Sequence, residues 1–272
     1  MDEYKDNLVI TMLGRKDSDK STFDQFKGKA QAVAMKNSIP ITRIYLEFVK
    51  IEETPIAEAF KSLVNAHDNG SAVLVIGAAG KGNEDSRRQE RPDGQPPMGS
   101  IAMTCLERCK VPVVLVKSGK RIDLDQTRIK RAGRDETPGL NMMVALDASA
   151  VSRVTCDMAI SMTRHVDSIY GFHVIDTGSV QSKQIVQEYS AAFAKLAENK
   201  ACALAQFETC EKQRSVRDHI DAFVDDKAID IIFMGSTELS MADKSHFLGS
   251  ISSAVTKTSI AHCCVVKNFA TT

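Results

Sequence analysis

The chain lacks the features that would mark a nucleic-acid-binding or membrane protein. Its 35 lysine and arginine residues are balanced by 35 aspartate and glutamate residues, so no net charge attracts nucleic acid or an anionic membrane. The sequence has no run of 18 apolar residues, and its acidic N-terminus has no apolar stretch of the kind found in signal peptides. We therefore expect a cytoplasmic protein with neither nucleic-acid nor membrane partners.

Signatures of common enzymes are also missing from the sequence. There is no GxxxxGK[ST] phosphate-binding loop, no HExxH zinc motif and no GxSxG nucleophile elbow. The seven cysteines include no CxxC pair, which favours buried structural thiols. His173 and His262 lie in apolar runs, where hydrogen-bonded core histidines are expected. We predict no catalytic residues and no metal ligands, with slow ATP hydrolysis as the upper limit of activity.

The most informative positive feature is a stretch that occurs twice. Residues 99–117 recur as 249–267, and both copies begin with Gly-Ser-Ile and end with Val-Lys. In each copy the Gly-Ser pair precedes an amphipathic stretch typical of a helix, which a buried apolar strand follows. Backbone N–H groups at a helix N-terminus attract anions, so this arrangement indicates a phosphate site.

Strand and helix signals alternate in both copies. The apolar runs Ala72–Gly77 and Ile229–Gly235 predict strands that are buried on both faces of a parallel sheet. The second copy as a whole predicts five strands and four helices, which is typical of a doubly wound α/β domain. The last strands of the two copies, Pro112–Lys117 and His262–Lys267, are short, apolar and expected at sheet edges. We therefore predict that these two strands pair with each other.

The domain boundaries follow from the repeat. We predict a first domain over residues 1–118, a charged linker over 119–139 and a second domain over 140–272. The first domain is one strand–helix unit short, because too few residues precede Gly77. In one alignment Leu8–Leu13 is the central strand of the first sheet, since a sheet cannot lose its centre without exposing backbone groups. In a competing alignment the same residues are the second strand.

These motifs resemble the universal stress protein family. The segment Val144-Ala-Leu-Asp147-Ala-Ser149 is similar to the end of the family's first strand, and Met234-Gly-Ser with Phe247-Leu-Gly-Ser250 is similar to its glycine loop. The resemblance implies two Rossmann-like (adenine nucleotide alpha hydrolase-like) α/β domains with mainly parallel sheets of strand order 3-2-1-4-5. It also implies that the second domain binds an adenine nucleotide, ATP, ADP or AMP, together with Mg²⁺.

The resemblance assigns a role to particular residues. Asp147 and a segment after the second strand are implied to hold adenosine, while the glycine loop wraps the phosphates, where small residues let the backbone approach. The residues implied for this site are Ala145, Asp147, Val174, Gly235, Ser236, Gly249, Ser250 and Ile251. A weaker second site is implied at Gly77, Gly80, Gly99 and Ser100.

Both copies depart from the family pattern. Glu238 stands where the family has its second loop glycine, and a carboxylate about 4 Å from a phosphate charge costs roughly 1 kcal/mol in water and about 4 kcal/mol at an effective dielectric near 20. The first copy carries the insertion Lys81–Met98 and has no aspartate at the end of a corresponding strand. Asp147 also has a structural alternative, which is to cap the turn that follows it.

Two functions remain open from the sequence. The first is a stress-type regulatory protein in which the two copies form an intramolecular pseudo-dimer, with a homodimer also open, and the second copy binds an adenine nucleotide. The alternative is a protein-interaction module of the same fold that binds no nucleotide and uses the inserted loop as its contact. The sequence does not identify the protein partner.

Overall fold

A computed structural model describes residues 8–14, 44–50, 73–78, 98–109, 111–117, 139–176, 178–199, 202–236 and 248–267, with helical positions at 24, 27–29, 31–32, 58–59 and 62. Four features predicted above lie outside these residues: Gly80, Glu238, nearly all of the insertion Lys81–Met98 and nearly all of the linker 119–139. The chain divides into two compact units, Met1–Leu63 and Val64–Thr272. The domain boundaries at 118 and 140 stay a prediction.

The first unit contains a parallel pair of strands. Strand β1 spans Leu8–Gly14 and strand β2 spans Ile44–Lys50, and Leu8 lies opposite Ile44 in their register. Strand β1 was predicted as Leu8–Leu13, one residue shorter than observed. The described residues between 24 and 32 are helical, as expected for the connection between two parallel strands.

The second unit is built around a seven-stranded sheet with the order β3-β4-β9-β8-β5-β6-β7. Every neighbouring pair is parallel except β4 and β9. The elements are β3 Leu74–Gly77, α1 Ser100–Arg108, β4 Val113–Val116, β5 Asn141–Ala145, α2 Ala150–Met162, β6 Ser168–Ile175, α3 Val180–Glu198, β7 Leu204–Glu211, α4 Val216–Asp226, β8 Ile231–Gly235, α5 Ser250–Thr258 and β9 His262–Val266.

Residues 140–267 form five strands of this sheet and the four helices that connect them, as predicted. Counted within this segment, the strands lie in the order third, second, first, fourth, fifth, which is the order that the resemblance implies. Strands β5 and β8 are central, and their apolar side chains, such as Met143, Val144 and Phe233, are fully buried. The continuous apolar runs of these strands therefore reflect cover on both faces of the sheet.

Strands β4 and β9 join the two copies of the repeat. They pair antiparallel, with Val113 opposite Val265 and Leu115 opposite Cys263, which confirms the predicted pairing of the last strands. The Nζ atom of Lys117 donates a hydrogen bond of 2.6 Å to the carbonyl of Ser259 at the end of α5. A cation at a helix C-terminus is favourable, so this bond strengthens the joint.

The prediction for strand β3 was partly wrong. Its residues alternate between half-buried and exposed instead of being buried on both faces, and the side chain of Val75 is 61% exposed. The physical reason is position, because β3 is the terminal strand of the described sheet, whereas its repeat counterpart β8 lies between two strands.

The cysteines have the structural role predicted for them. Six of the seven are buried, Cys210 is half-buried, and all are free thiols. Burial raises the pKa of Cys156 and of Cys264 to about 12, so both stay protonated at neutral pH.

Lys267 ends the second copy of the repeat, as Lys117 ends the first. The burial of its amine can be tested. Its side chain is 7% exposed, and burial lowers its pKa from 10.5 to about 8, although Glu107 opposes this shift. Charging the buried amine therefore destabilises the fold at pH 7. This cost declines as the pH rises from 8 to 10.5, because the folded protein loses its proton before the unfolded chain does.

We expect Lys267→Met to raise the free energy of unfolding at pH 7 by up to about 3 kcal/mol. The gain should vanish near pH 10.5. Urea denaturation at both pH values measures this, with Lys195→Met as the control because Lys195 is exposed on α3. A variant that is no more stable than the wild type at pH 7 would show that the amine is not desolvated as described.

Candidate functional site

Asp147 lies two residues after β5, at the carboxyl end of a central strand. Its Oδ1 atom accepts hydrogen bonds from the backbone N–H of Ser149 at 2.8 Å, from the Ser149 hydroxyl at 2.5 Å and from the Ser152 hydroxyl at 2.6 Å. Asp147 therefore does cap the turn into α2. The residue is exposed, and among the described hydrogen bonds none uses Oδ2. One carboxylate oxygen holds the turn, and the other is accessible to a ligand.

Two helices begin beside this carboxylate without side-chain caps. Ser149 is the N-cap of α2, but its hydroxyl donates to Asp147 and does not accept from the helix. Gly249 is the N-cap of α5 and has no side chain. The first N–H groups of both helices therefore lack the usual side-chain acceptor, which leaves them suited to an anionic ligand.

Gly235 ties these parts together at the end of β8. Its carbonyl accepts a hydrogen bond of 2.8 Å from the hydroxyl of Ser252 in the first turn of α5. A Cβ atom on Gly235 would lie 2.8 Å from Cγ1 of Val151 in α2, so α2 packs directly on the glycine. The structure therefore brings the ends of β5 and β8 and the starts of α2 and α5 into one place. This is where α/β sheets commonly bind ligands.

The remaining residues implied for the site are distributed around this place. Ala145 ends β5 and is half-buried, and Val174 lies near the end of β6 and is also half-buried. Ser236 is buried, and its N–H donates to the Val266 carbonyl at 2.8 Å. The side chains of Ser250 and Ile251 are exposed at the start of α5.

Both predicted core histidines are hydrogen-bonded. Nδ1 of His173 donates to the Leu146 carbonyl at 2.9 Å, and Nε2 lies 3.3 Å from the Ser182 hydroxyl. Nδ1 of His262 accepts from the backbone N–H of Lys117 at 3.0 Å. His173 thereby links β6 to Leu146, the residue before Asp147, and helps to hold the site in place.

The weaker second site lies elsewhere on the sheet. Gly77 ends β3, and the N–H of Gly99 donates to the Ala78 carbonyl at 2.8 Å, which places the start of α1 beside the end of β3. Because β4 runs antiparallel to β9, the carboxyl end of β3 and the carboxyl end of β5 point in opposite directions. These groups therefore lie at the end of the sheet opposite to Asp147. No aspartate corresponding to Asp147 is among the residues described at that end of the sheet.

Sequence reasoning missed two serines that shape the site. Ser152 bonds Asp147, and Ser252 bonds the Gly235 carbonyl. The first had a local signal, because an aspartate followed by serines at a helix start is typical of side-chain capping. The second had none, because Ser252 and Gly235 meet only through the tertiary fold.

Gly235→Ala is expected to lower the free energy of unfolding by about 1–3 kcal/mol, because the new Cβ overlaps the stiff side chain of Val151. Urea denaturation measures the change. Gly28→Ala is the matched control, since a Cβ there meets nothing within 4 Å, and it should be neutral or slightly stabilising. Equal stability of the two variants would mean that α2 does not rest on Gly235.

The site has the donors that a phosphorylated ligand requires. An open carboxylate oxygen can accept from hydroxyl or amine groups, and the helix N-termini can donate to phosphate oxygens. Among the described residues no group of three or more histidine, cysteine, aspartate or glutamate side chains is arranged to hold a metal ion. Residues that fit a nucleotide are therefore present, whereas a protein-borne metal site is not found in the described part.

Comparisons with known proteins agree with the fold. The profile of the universal stress protein family matches residues 140–267. A universal stress protein from Archaeoglobus fulgidus DSM 4304 is similar over 96% of this chain and 86% of its own, with a TM-score of 0.53 and 20% identity. A functionally unknown protein from Pseudomonas aeruginosa PAO1 is similar over 97% and 83%, with a TM-score of 0.59 and 11% identity. A search of curated proteins finds no match.

These identities are low, so the structural likeness establishes the fold alone. None of the helices that the structure describes is long and apolar enough to cross a membrane. The family assignment rests on the profile match, and it covers the segment that carries Asp147, Gly235 and Ser250. Residues 140–267 therefore form a domain of the universal stress protein family.

Proposed function

We propose that this protein is a cytoplasmic regulatory protein that binds an adenine nucleotide at the carboxyl ends of β5 and β8. One observation supports this most directly: Asp147 keeps one oxygen open beside two helix N-termini without side-chain caps. A carboxylate that accepts from a ribose or base, placed beside N–H groups that donate to phosphates, suits a nucleotide better than a purely apolar ligand.

Each part of the site has a role in this proposal. The Oδ2 atom of Asp147 accepts a hydrogen bond from the nucleoside, and the half-buried Ala145 and Val174 border it. The N–H groups that follow Gly249 donate to the phosphates. Mg²⁺ accompanies the nucleotide as a counter-ion of the phosphates. The nucleotide acts as a regulatory ligand, and no residue is assigned a catalytic role.

The antiparallel joint between β4 and β9 supports a pseudo-dimeric arrangement of the two copies. A ligand at the second copy is then positioned to influence the first copy through a shared sheet. The first copy, which has no described counterpart of Asp147, serves as the structural partner in this proposal.

The direct test is nucleotide content and binding of the purified full chain. We expect denatured protein to release an adenine nucleotide, or nucleotide-free protein to bind ATP with Mg²⁺ in about the micromolar range by calorimetry. Guanine nucleotides serve as the control. An absence of binding at about 1 mM ATP would overturn the proposal and favour the alternative, a protein-interaction module of the same fold.

A further inference from the structure

The two copies of the repeat correspond strand by strand in the sheet. Gly77 pairs with Val116 as Gly235 pairs with Val266. The N–H that follows each glycine donates to the carbonyl of that valine at 2.8 Å in both copies. Strands β3 and β4 are therefore the counterparts of β8 and β9, residue by residue.

The register of β1 and β2 identifies which unit the first copy lacks. Leu8 lies opposite Ile44, and Ser168 of β6 lies opposite Leu204 of β7, so paired residues are 36 positions apart in both cases. By contrast, Asn141 of β5 lies opposite Ser168, only 27 positions away. Strands β1 and β2 thus match β6 and β7. Among the described residues, β5 with α2 therefore has no counterpart in the first copy, which agrees with the competing alignment in which Leu8–Leu13 is the second strand.

The exposed face of β3 matches the area that α2 covers in the second copy. Helix α2 packs on Gly235, and the side chains on the same face, Phe233 and Val266, are 0% and 1% exposed. Their counterparts Val75 and Val116 are 61% and 39% exposed. Apolar side chains are therefore uncovered where the counterpart of α2 would lie.

No strand among the described residues pairs with the outer edge of β3. The N–H groups of Leu74 and Ala78 donate to Pro112 and Val116 on the side of β4. Because successive residues of a strand point their backbone groups to opposite sides, the N–H and C=O groups of Val75 and Gly77 point away from β4. In the second copy this is the side on which β8 pairs with β5.

We propose that the outer edge of β3, with the face formed by Val75 and Val116, binds a strand–helix segment of a partner polypeptide. The segment has the chemistry of β5 and α2: about five apolar residues that pair parallel to β3, followed by a helix whose small and β-branched side chains cover the valines. Strand addition supplies backbone hydrogen bonds, and the exposed valines supply apolar contact. This inference is independent of nucleotide binding.

The test uses the full chain and a synthetic peptide with the sequence of Asn141–Met162. We expect saturating peptide to slow amide hydrogen exchange at Val75 and Gly77 by about tenfold or more, without slowing Leu74, whose N–H already pairs with β4. A scrambled peptide should have no effect. Unchanged exchange at about 1 mM peptide would overturn the proposal. It would also be overturned if Val75 and Gly77 were already as protected as Phe233 and Gly235 without peptide, since another segment of this chain would then occupy the edge.

A charged substitution separates this surface from the nucleotide site. Val75→Lys should abolish the effect of the peptide, because a lysine guards an edge strand against pairing, and it should leave ATP binding unchanged. Val180→Lys is the matched control, since Val180 is 70% exposed on α3, and it should preserve the effect. Retention of the effect in Val75→Lys would show that the peptide binds elsewhere.

Discussion

Asp147→Ala is expected to weaken the binding of ATP by about ten- to a hundred-fold. A hydrogen bond to a charged group contributes about 1.5–3 kcal/mol, and the substitution removes the acceptor proposed to hold the nucleoside. It also removes the three hydrogen bonds that hold the turn into α2. Calorimetry with ATP and Mg²⁺ measures the loss, and a thermal melt of the same sample shows whether the variant is folded.

Two further variants separate the ligand from the turn. Asp147→Asn can keep an oxygen toward Ser149 and Ser152 while it replaces the open oxygen by an NH₂ group, so it should lose affinity but retain stability. Gly99→Ala changes the equivalent of Gly249 in the first copy and should leave the affinity unchanged. If Gly99→Ala weakened binding more than Asp147→Ala, the site would belong to the first copy.

Asp167→Ala is expected to reduce the free energy of unfolding by about 1.5–3 kcal/mol, because it removes a charged acceptor of hydrogen bonds from a buried position. The Asp167 side chain is fully buried in the turn between α2 and β6. Its Oδ1 atom accepts from the N–H of Leu140 and from Nη2 of Arg164, and its Oδ2 atom accepts from the N–H and Nε of Arg164. The substitution leaves these donors without their acceptor.

The pH dependence of this carboxylate follows from the same contacts. Burial alone would raise the pKa of Asp167, but the hydrogen bonds from Arg164 and from the N–H of Leu140 hold its pKa below 3.8. Since the folded pKa is below the unfolded one, the stabilisation is present above about pH 4 and is lost as the pH falls through the folded pKa. The difference in stability between wild type and Asp167→Ala should therefore shrink in acid.

The control for this prediction is an exposed ion pair. Arg153 and Glu188 lie 2.9 Å apart on the surface, where solvent screens their attraction. Glu188→Ala should change the free energy of unfolding by less than about 1 kcal/mol. Urea denaturation at pH 7 compares both variants, and a similar small effect of the two would mean that Asp167 is not buried as described.

The elements of residues 140–267 could be predicted because their signals are local. Apolar runs that end in glycine indicated β8, and the Gly-Ser pair indicated the start of α5, where the Gly249 backbone opens the helix. The pairing of β4 with β9 followed from two apolar strands that needed a neighbour. For β8 and α5 the residues that determine the element lie within it or at its ends.

Other features depend on contacts between distant residues, and the sequence pattern did not contain them. The exposure of Val75 depends on what covers β3, because the apolar run itself looks like that of the buried β8. The bond from Ser252 to the Gly235 carbonyl depends on how α5 docks against β8. The double use of Asp147, one oxygen for the turn and one left open, depends on the rotamer that Ser149 and Ser152 impose.

The most direct test of the proposed nucleotide site is amide hydrogen exchange of the full chain with and without saturating ATP and Mg²⁺. If the nucleotide binds at Asp147 and the start of α5, exchange is slower at residues 147–151 and 250–252 and unchanged at 74–78 and 99–101. Slower exchange at Gly77 and Ser100 instead, or no change in either region, would contradict the assignment of the nucleotide site to Asp147 and the start of α5.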